Sequence, residues 1–231
     1  MIKSLIFYIL LSFWTILLGI LFIPFLIMPK NKLNIAVHVW IWGVLYLLKR
    51  ICGLSYELKG IKHINDINAK IIASKHQSAF ETLVLYYTIP KAIFIHKYEL
   101  FFIPIFGLYL KKLDMVAINR SKRIKTLNKL IIKSKLKISK GYSLIIFPEG
   151  TRKTPGADTD YKSGVAGIYK ELNTGVIPVA VNSGIFWPKN SLKIKPGKII
   201  IEFLDPINKG LTKEDFLKIL EEKIENKTSE L

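Results

Sequence analysis

The chain has a single cysteine, Cys52, so no intrachain disulfide can form and nothing calls for an oxidising compartment. Its neighbours are Ile51 and Gly53, with no base-like residue beside it, which reads as a buried structural thiol. Several phosphate and nucleophile signatures are missing. There is no G-x-G-x-x-G, no G-x-x-x-x-G-K-[ST] and no G-x-S-x-G, so dinucleotide, P-loop and hydrolase-elbow readings lack an anchor. The four histidines (His38, His63, His76, His96) have no paired metal-ligand spacing, and no metal or other cofactor is expected. Internal repeats and low-complexity linkers are absent too. Acidic residues are few, 17 against 35 basic ones, for a formal net charge of +18. Such a chain expects an anionic partner: nucleic acid, a lipid headgroup surface or a phosphorylated substrate.

What the N-terminus contains narrows that choice. Residues 5–28 run apolar without a charge, longer than the about 20 residues a bilayer crossing needs. Residues 33–48 form a second apolar stretch, ended by Lys49 and Arg50 and carrying Trp40, Trp42 and Tyr46, aromatics suited to headgroup level. No small-residue cleavage site follows the first run, which argues against a removed signal peptide. Two hydrophobic segments bracketed by lysines predict a membrane hairpin, crossing the bilayer or lying in one leaflet. Membrane phosphates then become the favoured anions, and nucleic acid is not expected as a partner.

From residue 53 the pattern changes. Short β-like runs at 56–58, 71–74, 93–96, 115–118, 144–147, 176–181 and 199–204 alternate with amphipathic stretches. Residues 122–140 read as a lysine-rich helix stopped by Gly141. Thr212 and Asp215 resemble a capping box, with Leu211 and Phe216 as its hydrophobic staple. Phe216, Ile219, Leu220 and Ile224 then make one apolar stripe, and 226–231 read as frayed. The expected architecture is α/β, a mixed β-sheet flanked by helices. It divides into an anchoring hairpin at 1–52 and an α/β domain at 53–231.

Three stretches carry chemistry. KHQSAFET, residues 75–82, pairs His76 with Glu81, but Ser78 and Glu81 also spell the S-x-x-E cap of a helix start. The second stretch starts at Lys97 and leads to AINR at 117–120. The third, IIFPEGTRK at 145–153, is an apolar strand ending in a charged turn, where α/β proteins place ligands.

Taken together, these stretches resemble the 1-acylglycerol-3-phosphate acyltransferases (lysophosphatidic acid acyltransferases) of the glycerolipid acyltransferase superfamily. The resemblance covers most of residues 33–204. His76 and Glu81 match the H-x-x-x-x-D block, with glutamate where the family usually has aspartate. AINR matches the second block, with Asn119 where aspartate is frequent. FPEGTR at 147–152 matches the third block fully, and VIPVAV at 176–181 the fourth. An N-terminal two-helix membrane element is also a family feature.

The resemblance implies a membrane enzyme with its catalytic domain on the cytoplasmic face. It would acylate the sn-2 hydroxyl of lysophosphatidate, giving phosphatidate, from acyl-CoA or acyl-ACP. His76 would be the general base and Glu81 its orienting carboxylate. Lys97, Arg120, Glu149, Gly150, Thr151 and Arg152 would bind substrate, the cations gripping the phosphate. Residues 100–110 would either line an apolar tunnel for the acyl chain or belong to the core. Membrane phospholipids are the expected surroundings, and the oligomeric state is open. The alternatives are another acceptor, such as glycerol 3-phosphate or another lysolipid, and a non-catalytic basic membrane-binding module.

Five positions apart on one ideal helix, His76 and Glu81 would diverge by about 140°. His76 therefore belongs in the loop before the helix and Glu81 in its first turn, so cap and dyad ask for the same backbone.

Overall fold

Leu, Ile and Phe dominate the first segment and no breaker interrupts it, so it forms one helix, α1 (Ile2–Leu21). Pro24 falls in the first turn of a short 3-10 helix, Ile23–Leu26, and Pro29 precedes α2 (Lys30–Leu47), so neither proline interrupts an α-helix. The two helices pack through Trp14, whose indole donates to the Trp40 carbonyl at 3.1 Å, and through Trp40, which donates to Thr15 Oγ1 at 3.1 Å. Gly43 makes that approach possible, because a Cβ there would meet the Trp14 ring at 2.4 Å. α2 runs on through one π-helical turn, Leu48–Cys52, and ends at the left-handed Gly53. The Cys52 thiol is buried.

The chain then lays down β1 (Leu54–Lys59), a short α3 (Lys62–Asn65), β2 (Lys70–Ser74), α4 (Phe80–Thr88) and β3 (Ala92–Lys97). α5 (Phe106–Lys112), β4 (Val116–Ile118), α6 (Arg123–Ser139), β5 (Ser143–Ile146) and α7 (Ser163–Leu172) follow. β6 (Val176–Val181), α8 (Ser183–Phe186), β7 (Gly197–Phe203) and α9 (Lys213–Ser229) complete it. The structure is a computed structural model that describes residues 1–65, 70–118 and 123–231, with 65, 70 and 123–127 described in backbone alone.

Each predicted strand falls on an observed one. Among the described residues they form one mixed sheet of order β1-β7-β6-β2-β5-β3-β4. β6, β2, β5, β3 and β4 run parallel, whereas β7 is antiparallel to β6 and parallel to β1. The central strands β5 and β6 are buried throughout, which is why they read as continuous apolar runs and not as alternations. α7 packs on α6 and α9, and α9 lies against β6. The Tyr169 and Phe216 rings stack there at 3.9 Å.

The basic stretch forms α6, with Ile131 and Ile138 packed on the core and left-handed Gly141 beyond its end. Ile132 and Leu136 point outward among lysines.

Two expectations change. Residues 226–231 are not frayed: α9 continues to Ser229 because Lys227 bridges Glu202 at 3.5 Å and Glu230 at 2.9 Å. The Leu231 carbonyl also accepts from Asn182 Nδ2 at 3.1 Å. Nor do residues 100–110 sit in the core as a whole, since Phe102 is 71% exposed and Ile103, Ile105, Phe106 and Leu108 are open as well. Tyr109 explains their place, donating to the Gly19 carbonyl of α1 at 3.0 Å, so this segment extends the apolar surface of the hairpin.

Candidate active site

In a parallel sheet the strand ends share one edge, and loops leaving it converge. Ala73 pairs with Ile146 and Phe94 with Ile145, so the turns after β2, β5 and β3 leave that edge together. The turns after β2 and β5 hold His76 and the EGTR run, and Lys97 is the last residue of β3.

The loop after β2 is held from below. Lys75 donates its N–H to the Val179 carbonyl of β6 at 3.0 Å, and the His76 carbonyl accepts from the Lys153 N–H at 2.8 Å. His76 thus sits before α4, with Glu81 in the first turn of that helix. His76 Nδ1 lies 2.8 Å from Glu81 Oε1. A carboxylate only accepts, so the Nδ1 proton faces it and the Nε2 lone pair is left for a substrate proton. The imidazole, 17% exposed, stacks on Phe147 with centroids 3.8 Å apart.

Glu81 is fully buried and does two jobs. Its Oε1 also accepts the N–H groups of Gln77 and Ser78, each at 2.8 Å, while Oε2 accepts from Ser183 Oγ at 2.7 Å. Half of the predicted capping box is therefore present, the glutamate reaching back to the Ser78 amide. The other half differs, because Ser78 Oγ accepts from Phe80 N at 3.2 Å and not from residue 81. Ser183, from the turn after β6, was not singled out in the sequence. A hydroxyl 102 residues from its partner leaves no local signal.

The EGTR turn contributes a second carboxylate. Glu149 is buried, and its Oε1 lies 2.7 Å from Lys75 Nζ. That ammonium is the partner of Oε1, and among the described residues Oε2 has no donor. Lys75 Nζ in turn donates to Glu225 of α9 at 2.7 and 2.9 Å, and Tyr161 Oη donates to Glu225 Oε1 at 2.8 Å. Burial lifts the Glu149 carboxyl to about 7, with Lys75 pulling it down and Glu225 and Glu81 pushing it up. Burial also works against the Lys75 charge, but the two carboxylates outweigh it and hold the ammonium above the usual lysine range.

Gly150 takes a left-handed conformation, φ 65°, and donates its N–H to the Phe147 carbonyl at 2.9 Å, which turns the chain sharply after β5. Thr151 and Arg152 follow, both partly buried. Arg152 borders a cavity of about 390 Å³ together with Ser78, Ala79, Trp187 and Lys189. Lys189 Nζ donates to the Arg152 carbonyl at 3.3 Å. Tyr8 of α1 lines the same cavity and accepts from Trp187 Nε1 at 3.0 Å, so the hairpin forms part of its wall. Lys97 is exposed at the end of β3, two strands from β2, or about 10 Å at ordinary strand spacing. Arg120 and Asn119 lie outside the described residues.

Residues 55–182 match the family model described as Acyltransferase. A Pseudomonas aeruginosa protein named 1-acyl-sn-glycerol-3-phosphate acyltransferase is 32% identical over 86% of this chain and 77% of its own length. A Haemophilus influenzae protein of the same name is 26% identical over 80% of this chain and 77% of its own. The crystal structure of the 1-acyl-sn-glycerophosphate (LPA) acyltransferase PlsC from Thermotoga maritima superposes with a TM-score of 0.79. It covers 99% of this chain and 94% of its own at 22% identity, which makes it a likeness of fold.

Proposed function

The chain belongs to the Acyltransferase family, and on that premise we propose that it acylates the sn-2 hydroxyl of 1-acyl-sn-glycerol 3-phosphate, forming phosphatidate. The observation that carries this reading is the His76–Glu81 pair at 2.8 Å, set on the carboxyl edge of the sheet beside the Arg152 cavity. A buried carboxylate that is already held by two amides and a hydroxyl is rigid, so it fixes the imidazole's tautomer and orientation.

In the proposed reaction His76 Nε2 removes the proton of the acceptor hydroxyl as its oxygen attacks the thioester carbonyl. The tetrahedral adduct collapses with loss of the thiolate, and the imidazolium returns the proton to the sulfur. Glu81 stabilises the imidazolium between these steps. Arg152 holds the acceptor phosphate, assisted by Lys97 and Arg120. Gly150 and Thr151 shape the turn that presents Arg152. Glu149, its side chain fully buried against Lys75, holds the EGTR turn that carries Arg152. Acyl-CoA and acyl-ACP both supply the required thioester.

Residues 1–52 serve as the membrane element and 53–231 as the catalytic domain, placed on the cytoplasmic face. Two helices, Ile2–Leu21 and Lys30–Cys52, are long and apolar enough to cross a bilayer, and most of α1 is uncovered by the rest of the chain. Membrane phospholipids would cover that surface and the neighbouring 100–108 segment.

Purified protein offered labelled acyl-CoA and acyl-ACP with lysophosphatidate, glycerol 3-phosphate and other lysolipids tests the reading. Transfer to lysophosphatidate is expected. Transfer to glycerol 3-phosphate alone would reassign the acceptor, and no transfer with any pair would leave a binding module.

A further inference from the structure

One buried charge cluster plays no part in the proton relay. Lys75 is the residue before His76, its side chain is 4% exposed, and it joins Glu149 of the EGTR turn to Glu225 of α9. Burying one cation between two carboxylates is a poor way to stabilise a fold, because desolvation consumes the Coulomb gain and apolar packing does as well. The cluster must then be judged by what it positions. We propose that Lys75 is a positioning residue for acyl transfer, holding the Glu149 carboxylate at the His76 loop, with Glu225 of α9 and Tyr161 as its supports.

Three geometric facts support this. The Lys75 backbone is fixed to β6 by its bond to the Val179 carbonyl, so the ammonium starts from a rigid point. Glu225 chelates that ammonium with both oxygens and is itself held by the Tyr161 hydroxyl. Glu149, at the other side of the ammonium, meets it through Oε1 at 2.7 Å with its side chain fully buried, so the pair ties the EGTR turn to the His76 loop. α9 is thereby part of the site's scaffold. The charged and titratable groups around Glu149 are Lys75, Glu225, Glu81 and Tyr161, with His76 adjoining on the same loop.

The proposal rests on the acyltransferase reading, and the test separates the two. Lys75→Met and Glu225→Gln are compared with wild type by thermal melting and by the pH dependence of kcat/KM for lysophosphatidate. Removing the cation raises the pKa of the neighbouring acid and base alike, and removing an anion lowers both. Lys75→Met should therefore lose roughly 10- to 100-fold in kcat/KM, the cost of a misplaced contact. Its acid limb should move up by about one pH unit, the lower end of what one adjacent charge does. Glu225→Gln, which changes a partly exposed side chain and keeps the ammonium, should move the limb the other way. An acid limb that stays in place in Glu225→Gln overturns the proposal, whether or not Lys75→Met folds. So does a limb that moves in the same direction in both variants. A wild-type enzyme that acylates a different acceptor fails the substrate assignment alone, and the same comparison is then made with that acceptor.

Discussion

Glu81 shows how one side chain satisfies two different demands. As a cap it accepts two backbone amides; as the partner of His76 it orients an imidazole; both act through Oε1. Glu81→Ala would leave two buried amides unpaired at about 1–3 kcal/mol each, so it reports stability as much as chemistry. Glu81→Gln is the cleaner variant, because its amide oxygen keeps the cap, its NH2 can donate to Ser183 Oγ in a reversed bond, and the charge is lost. Its melting temperature should stay within a few degrees of wild type, while kcat falls by at least about tenfold, a share of the 10²–10⁴ that general-base catalysis supplies. Full activity in Glu81→Gln would reduce Glu81 to a cap. Arg152 gives a second residue-scale prediction. Arg152→Lys keeps the charge and loses the planar fork, so binding of a phosphate should weaken by roughly 10- to 150-fold, the equivalent of about 1.5–3 kcal/mol. The defect should shrink for an acceptor without phosphate, as kcat/KM for 1-acylglycerol against lysophosphatidate will show. The His76–Glu81 pair was legible because both residues lie in one short stretch. The Lys75–Glu149–Glu225 cluster was not, since its members come from three parts of the chain and lysines in a sequence this basic carry little information.

At the scale of elements, α9 differs most from its sequence reading. The Thr212 cap is present as predicted, its Oγ1 accepting from the Asp215 amide at 3.0 Å. Thr212→Ala should cost about 1 kcal/mol in denaturant unfolding, with activity unchanged at moderate temperature. The far end of α9 was misread because its support is tertiary: Lys227 on Glu202, and Leu231 on Asn182. The first turns of the hairpin pack against the rest of the chain. Ser4 Oγ accepts from Ile194 N at 3.0 Å, Phe7 is fully buried, and Tyr8 meets Trp187 at the cavity. Removing residues 1–52 therefore should impair the domain along with its attachment. A sharper variant replaces Ile9, Phe13 and Ile16, all outward-facing, with serine. Each fully buried side chain of this kind contributes about 1.5–3 kcal/mol, so co-sedimentation with vesicles in high salt should drop strongly while the melting temperature holds. Unchanged sedimentation would move the attachment to the 100–108 segment or the basic face of α6.

For the whole molecule, the α/β class and every strand were readable from short apolar runs between turn signals. The order β1-β7-β6-β2-β5-β3-β4 was not, because period-two and buried-run patterns say that a strand exists and nothing about its neighbours. That order is what makes the site: it sets β5 between β2 and β3, and so brings the EGTR turn against the His76 loop. The +18 charge pointed to an anionic partner but could not choose one, and the choice came from the apolar N-terminus and the motifs. The most direct test of the whole account is product analysis. Wild-type protein and His76→Ala, both in phospholipid micelles, are given 1-acyl-sn-glycerol 3-phosphate and a labelled acyl thioester, and the product is resolved by mass and position of the new ester. The account predicts phosphatidate acylated at sn-2 from wild type, and a rate lower by about 10²–10⁴ in a folded His76→Ala. Phosphatidate formed by His76→Ala at more than about a tenth of the wild-type rate, or no phosphatidate from wild type, would contradict it.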